Sequence, residues 1–178
     1  MNQIATPFEG LFILEPTVHA DARGYFMESF RASFFEDLGL NFIQDNEARS
    51  TYGVIRGLHY QEPPYAQNKL LRVLEGRILD VVVDLRSASE TFGQAYAVEL
   101  SAENKLQLLV PKGFAHGYAV LSETAAVFYK VDDYYNAAAD RGVYYDDFKV
   151  DWQIPFGDRI LSDKDVHQPR FAELNSPF

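Results

Sequence analysis

Residues 77–85 read Arg-Ile-Leu-Asp-Val-Val-Val-Asp-Leu, a β-branched run too short and too polar at its even positions for a buried helix. An extended chain throws successive side chains to opposite faces, so Ile78, Asp80, Val82 and Asp84 share one side of a strand. Working outward, similar runs occupy Lys69–Glu75, Gln94–Leu100, Lys105–Val110 and Ala125–Val131. Turn text separates them: Glu75-Gly76, Ser87–Ser89, Ser101–Asn104 and Pro111-Lys-Gly113. Short strands recurring every ~8–12 residues predict an antiparallel sandwich, jelly roll or barrel. One helix is expected over Arg31–Leu38, where Phe34, Phe35 and Leu38 share a face and Gly39 supplies the stop. Beyond residue 131 the text turns polar, aromatic and proline-punctuated, which reads as loops and short helices wrapping a barrel. With no repeat and no linker, residues 1–178 are expected to form a single domain.

The 178 residues carry 26 Asp and Glu against 16 Lys and Arg, a formal net charge of −10. Binding a long nucleic acid needs a basic face that displaces counterions, so that class is excluded, as is a polybasic membrane-surface protein. The charge is uneven, however. Residues 49–77 hold Arg49, Arg56, Lys69, Arg72 and Arg77 against Glu62 and Glu75, a local +3, and the remainder carries −13. A basic window in an acidic shell suits a small anionic ligand. Cysteine is absent, which removes disulfides, thiolate metal sites and a cysteine nucleophile. The first ten residues have neither a basic nor an apolar signal region, and no window approaches the ~18–20 apolar residues of a membrane span. A cytoplasmic location is therefore expected. The 14 Phe and 11 Tyr exceed what one small core usually consumes, which points to oligomerisation.

Chemistry concentrates in Gln44-Asp-Asn-Glu-Ala-Arg49, Arg56-Gly-Leu-His-Tyr-Gln61, Lys69-Leu-Leu-Arg72 and Pro111-Lys-Gly-Phe-Ala-His-Gly117. Of the four histidines, at 19, 59, 116 and 167, His59 and His116 each follow glycine-marked text where loops would meet a barrel interior. A metal site in a barrel wants a His-x-His pair, a nearby carboxylate and a distant further histidine. His59 is followed instead by Tyr60 and Gln61, and two histidines are too few ligands, so no metal is expected. Arg23, Arg56 and Lys69 lie among Phe26, Tyr60 and Gln61, a mixture suited to phosphate oxygens and a stacked base or sugar. Tyr129 reads either as a core tyrosine or as a phenol acid inside the barrel. Asp165 reads as loop charge, helix cap or site carboxylate.

Eight motifs in order carry a resemblance. They are Asp21-Ala-Arg-Gly-Tyr-Phe-Met-Glu28, Gln44-Asp-Asn-Glu-Ala-Arg-Ser50, Gly53-Val-Ile-Arg-Gly-Leu-His-Tyr-Gln61, Asp80-Val-Val-Val-Asp-Leu-Arg86, Thr91-Phe-Gly93, Leu100-Ser-Ala-Glu-Asn-Lys105, Pro111-Lys-Gly-Phe-Ala-His-Gly117 and Leu161-Ser-Asp-Lys-Asp165. Together the chain resembles the dTDP-4-dehydrorhamnose 3,5-epimerase family over nearly its whole length. The resemblance implies an all-β, cupin-type jelly-roll barrel with short flanking helices, working without metal or cofactor. It implies epimerisation at C3 and C5 of a dTDP-4-keto-6-deoxyhexose, a step of dTDP-L-rhamnose biosynthesis. The alternative is a relative acting at C3 alone or C5 alone.

Carried over position by position, the resemblance makes His59 the base, Asp165 its dyad partner, Tyr129 the acid and Lys69 the cation near the C4 oxygen. Arg23, Phe26, Glu28, Gln44, Asn46, Arg56, Lys69, His116 and Tyr135 would line the nucleotide-sugar pocket, and Asp80 would stand behind the histidines. The resemblance also implies a homodimer with exchanged N-terminal strands, so that Arg23–Glu28 would arrive from a partner subunit. Two departures from the family pattern are Glu47, where histidine is usual, and Ala137-Ala-Ala-Asp-Arg-Gly142, where Pro-Glu-His-Glu-Arg-Gly is usual.

Overall fold

In a computed structural model that describes residues 1–178, Arg77–Asp84 forms an interior strand, next to the edge, of a five-stranded sheet. In chain order the strands are β1 (Asn2–Ala5), β2 (Phe12–Glu15), β3 (Val18–Asp21), β4 (Gly24–Met27), β5 (Gln44–Thr51), β6 (Ile55–Gln61) and β7 (Lys69–Glu75). They continue with β8 (Arg77–Asp84), β9 (Ala95–Ser101), β10 (Gln107–Val110), β11 (Phe114–Val120), β12 (Thr124–Val131) and β13 (Asp140–Gly142). Two short helices, α1 (Ala32–Glu36) and α2 (Asp163–Val166), flank them. A six-stranded sheet runs β1-β2-β10-β7-β12-β5, and a five-stranded sheet runs β13-β6-β11-β8-β9, both antiparallel throughout. The architecture is the all-β, cupin-like jelly roll that the strand spacing and the resemblance predicted.

β8 is buried on both faces, unlike the half-wet strand that simple alternation suggests. Ile78 and Val82 face the space between the sheets, where Leu71, Leu108, Val120 and Val127 meet them. Leu79, Val81 and Val83 face outward but are covered by Val143, Phe148, Trp152 and Ile154 from the C-terminal wrap. Each such side chain contributes roughly 1.5–3 kcal/mol by leaving water. The wrap therefore supplies a second apolar layer rather than decoration. On the outer face of the six-stranded sheet, Phe35 of α1 packs with Leu14, Leu70 and Leu109.

Boundaries differ from the sequence expectation in informative places. β10 begins at Gln107 because Lys105 takes a left-handed turn conformation, φ 59°. α1 is shorter than Arg31–Leu38, since Arg31 is extended and Gly39, at φ 74°, closes the chain back on itself. His59 and His116 sit within strands rather than at loops. β3 and β4 pair only with each other, forming a separate ribbon whose residues are nearly all exposed. No helix is long and apolar enough to cross a membrane.

Candidate active site

Strand register decides which side chains meet. β6 and β11 pair so that His59 stands opposite His116 and Arg56 opposite Tyr118. Three steps on β6 therefore match two on β11, which is a β-bulge. On a regular strand, positions 56 and 59 would face opposite ways; the extra residue turns both into the barrel. Glycine makes the bulge possible. Gly57 has φ 118°, and a Cβ there would stand 2.6 Å from Gly117 Cα, while one on Gly117 would meet Arg56 O at 2.4 Å.

The six-stranded sheet supplies the facing wall. Tyr129 on β12 pairs with Leu71 of β7 and Asn46 of β5, and one row on Val131 pairs with Lys69 and Gln44. His59, His116, Arg56, Asp165, Lys69 and Tyr129 consequently line one cavity of about 470 Å³ between the sheets. Gln44, Asn46 and Tyr135 line an adjoining cavity of about 190 Å³ that shares His59, Lys69 and Tyr129. Nine residues singled out from sequence thus converge, with the two histidines on one sheet and Tyr129 and Lys69 on the other.

Each histidine is claimed by a carboxylate. His59 Nε2 lies 2.5 Å from Asp165 Oδ1, and Asp165, on α2, is almost wholly buried. Burial works to raise the Asp165 carboxyl, but the His59 hydrogen bond and charge, with Ser162 and Lys164, outweigh it and hold it below the usual carboxylate range. His116 Nε2 lies 2.9 Å and 3.1 Å from the two oxygens of Asp80, which is inaccessible to solvent. In both pairs Nε2–H is the natural donor to the carboxylate, which leaves Nδ1 free to accept a proton.

Lys69 lies at the meeting of the two cavities, and its ammonium makes a long hydrogen bond of 3.5 Å to His59 O. Enclosure by the barrel pushes its pKa down to about 8, against the opposing pull of Asp80 and Asp140. Burial pushes the Tyr129 phenol up, with Arg56 opposing, so it stays protonated and able to donate at neutral pH. Arg56 is held by Ser50, whose hydroxyl accepts from Nε at 3.0 Å.

Arg23, Phe26 and Glu28 lie outside both cavities of this chain. Arg23 is clamped by Asp21 at 2.6 Å, Glu28 pairs with Arg31 at 2.7 Å, and the Phe26 ring is 72% exposed. Other site residues escaped sequence reasoning. Tyr118 and Ser162 line the larger cavity, and Asp140 lines the smaller one, bonded to Tyr135 Oη at 3.0 Å and Lys164 Nζ at 2.5 Å. Ser162 had a legible signal, Ser-x-x-Asp before a short helix. Tyr118 also had one, since strand alternation puts it on the face of His116, and Asp140 lies in the Ala137–Gly142 segment noted as a departure; only long-range pairing brings Asp140 beside Lys164.

The family model described as dTDP-4-dehydrorhamnose 3,5-epimerase matches residues 5–173. The Escherichia coli K12 protein of that name is 48% identical over 179 residues, covering 98% of this chain and 96% of that one. Among solved structures, the dTDP-4-dehydrorhamnose 3,5-epimerase of Elizabethkingia anophelis is 53% identical, with a TM-score of 0.92 and 98% of each chain covered. A Legionella pneumophila epimerase solved with dTDP-4-keto-L-rhamnose is 44% identical, with a TM-score of 0.93, covering 98% of this chain and 94% of that one. With a family model matching residues 5–173 and relatives matched nearly end to end in sequence and fold, this chain belongs to the dTDP-4-dehydrorhamnose 3,5-epimerase family.

Proposed function

We propose that the chain epimerises dTDP-4-dehydro-6-deoxy-D-glucose at C3 and C5, giving dTDP-4-dehydro-L-rhamnose, with His59 as base and Tyr129 as acid. The observation that carries the residue roles is placement on opposite walls. A base on one sheet and a phenol on the other can address the two faces of a ring held between them. C3 and C5 both flank the C4 ketone, so each proton is acidic once the enolate is stabilised. His59 Nδ1 removes the proton, and Asp165 stabilises the imidazolium that forms. The Lys69 ammonium offsets charge developing on the C4 oxygen. Tyr129 then returns a proton to the opposite face, inverting the centre. Arg56 and His116 bind the charged substrate, and Gln44, Asn46 and Tyr135 offer polar contacts in the adjoining cavity.

The exposed β3–β4 ribbon supports a homodimer that exchanges it, so that Arg23, Phe26 and Glu28 complete a neighbour's pocket. A lone two-stranded ribbon is marginal in water, and this one leaves Tyr25 57% exposed and Phe26 72% exposed. Light scattering should return the mass of two chains, and Phe26→Ala should raise KM without unfolding the barrel. A monomer at working concentration rules the exchange out.

The main test is solvent exchange. In D2O the protein should place two deuterons in dTDP-4-keto-6-deoxyglucose without added NAD or metal. One deuteron selects the single-carbon alternative, for which the altered Ala137–Gly142 segment beside Tyr135 is the place to look. Absence of exchange from folded protein removes the assignment.

A further inference from the structure

We infer that Ser162 is a positioning residue for the His59–Asp165 dyad, an inference that rests on the catalytic reading above. Ser162 is the N-cap of α2, with extended backbone, and its Oγ accepts from Asp165 N at 3.2 Å. The same hydroxyl donates to Asp165 Oδ2 at 2.8 Å. Asp165 is the third residue of that helix, the position whose side chain in an ordinary capping box reaches back to the cap's backbone N–H. Here the carboxylate reaches the cap's hydroxyl instead. Its two oxygens are thereby divided, with Oδ1 taking His59 and Oδ2 taking Ser162.

Removing the hydroxyl acts on the dyad in two ways. The carboxylate becomes free to rotate about its last torsion, so the imidazole loses its fixed orientation. Oδ2, on a side chain only 5% exposed, also loses a hydrogen-bond donor, which makes the carboxyl easier to protonate. Ser162 opens onto the cavity, yet this role needs no contact with substrate.

Capping and positioning come apart in a short mutant series. Glycine is almost as good an N-cap as serine, whereas alanine is poor, and threonine keeps both cap and donor. A cap-only role therefore predicts a near-normal Ser162→Gly enzyme and a thermally weakened Ser162→Ala enzyme. Positioning predicts that both lower kcat about tenfold, the kinetic scale of one hydrogen bond to a charged group. It further predicts that KM stays within about twofold, that the acidic limb of kcat moves to higher pH, and that Ser162→Thr restores both. Wild-type kcat and acidic limb in Ser162→Gly overturn the inference. Should wild type show no solvent exchange, the functional reading fails instead. The Nε2–H proton resonance of His59 still tests the joint: it should persist in wild type and Ser162→Thr and be lost or displaced in Ser162→Gly. An unchanged resonance in Ser162→Gly also overturns it.

Discussion

His59 and His116 stand directly opposite each other across β6 and β11, and each passes an Nε2 contact to its own carboxylate. The environments differ: the His59 side chain is 30% exposed to the cavity, while His116 is 8% exposed. The more open histidine belongs to the dyad we assign as base, and the enclosed one is held against Asp80, which solvent does not reach.

His59→Ala should lower turnover by at least ~10²-fold, the scale of a positioned general base. Asp165→Asn should lower it comparably, because an amide neither favours the Nε2–H tautomer nor stabilises the imidazolium. Steady-state kinetics with circular dichroism as the folding control checks both. Turnover within a few-fold of wild type in His59→Ala removes its role as base.

Tyr129→Phe separates the two halves of the reaction. Deprotonation by His59 should survive, so solvent deuterium should still enter the substrate while inverted product falls away. Mass spectrometry and NMR of the recovered sugar read the two outcomes. Unchanged product formation would show that another group returns the proton.

Lys69 predicts an alkaline limb. With its pKa held at about 8, the ammonium to which we assign support of the enolate is lost as pH rises through that value, so kcat should decline there. The effect on stability has the opposite sign. The folded chain binds this proton less readily than the unfolded chain, so between about 8 and the ordinary lysine value of 10.5 stability rises with pH. Lys69→Met should be inactive at every pH, no less stable than wild type at pH 7, and free of this rise.

Tyr118→Phe tests a buried group without a partner. The phenol oxygen is enclosed beside Arg56 and Ser50 without a hydrogen bond of good geometry, and burial pushes its pKa up, with Arg56 and Ser50 opposing. Deleting it should stabilise the ligand-free protein by about 1 kcal/mol. That corresponds to a Tm gain of ~2–4 °C for a chain of this length.

Asp84→Ala should be among the most damaging structural changes. Burial works to raise this carboxyl, yet bonds from Arg86, Ser89, Thr91 and the Arg86 amide hold it at about 2. Removing it takes the ion pair from Arg86, which keeps Glu9 O, and the acceptor from the Ser89 and Thr91 hydroxyls near the start of β11, at a cost of roughly 1–3 kcal/mol. Chemical denaturation reads the loss.

The basic window of residues 49–77 shows how far a linear charge count reaches. Arg56 and Lys69 do enter the cavity. Arg49 and Arg77 instead pair on the surface with Glu75 and Glu99, and Arg72 stacks over Phe128. The charge count pointed to the segment, but only sheet pairing sorted its cations into cavity-facing and surface-paired sets.

By itself the sequence determined the all-β class, most strands, the polar wrap after residue 131 and the family. Local β-branched runs, turn residues and ordered motifs carry those signals directly. Tertiary structure decided which neighbours become a site. A one-residue bulge, permitted where Gly57 meets Gly117, turns Arg56 and His59 to the same face. The barrel sets Tyr129 opposite the histidines, and α2 brings Asp165 to His59 across 106 residues of chain. No local pattern encodes those meetings, because they depend on register, parity and the closing of one sheet over another.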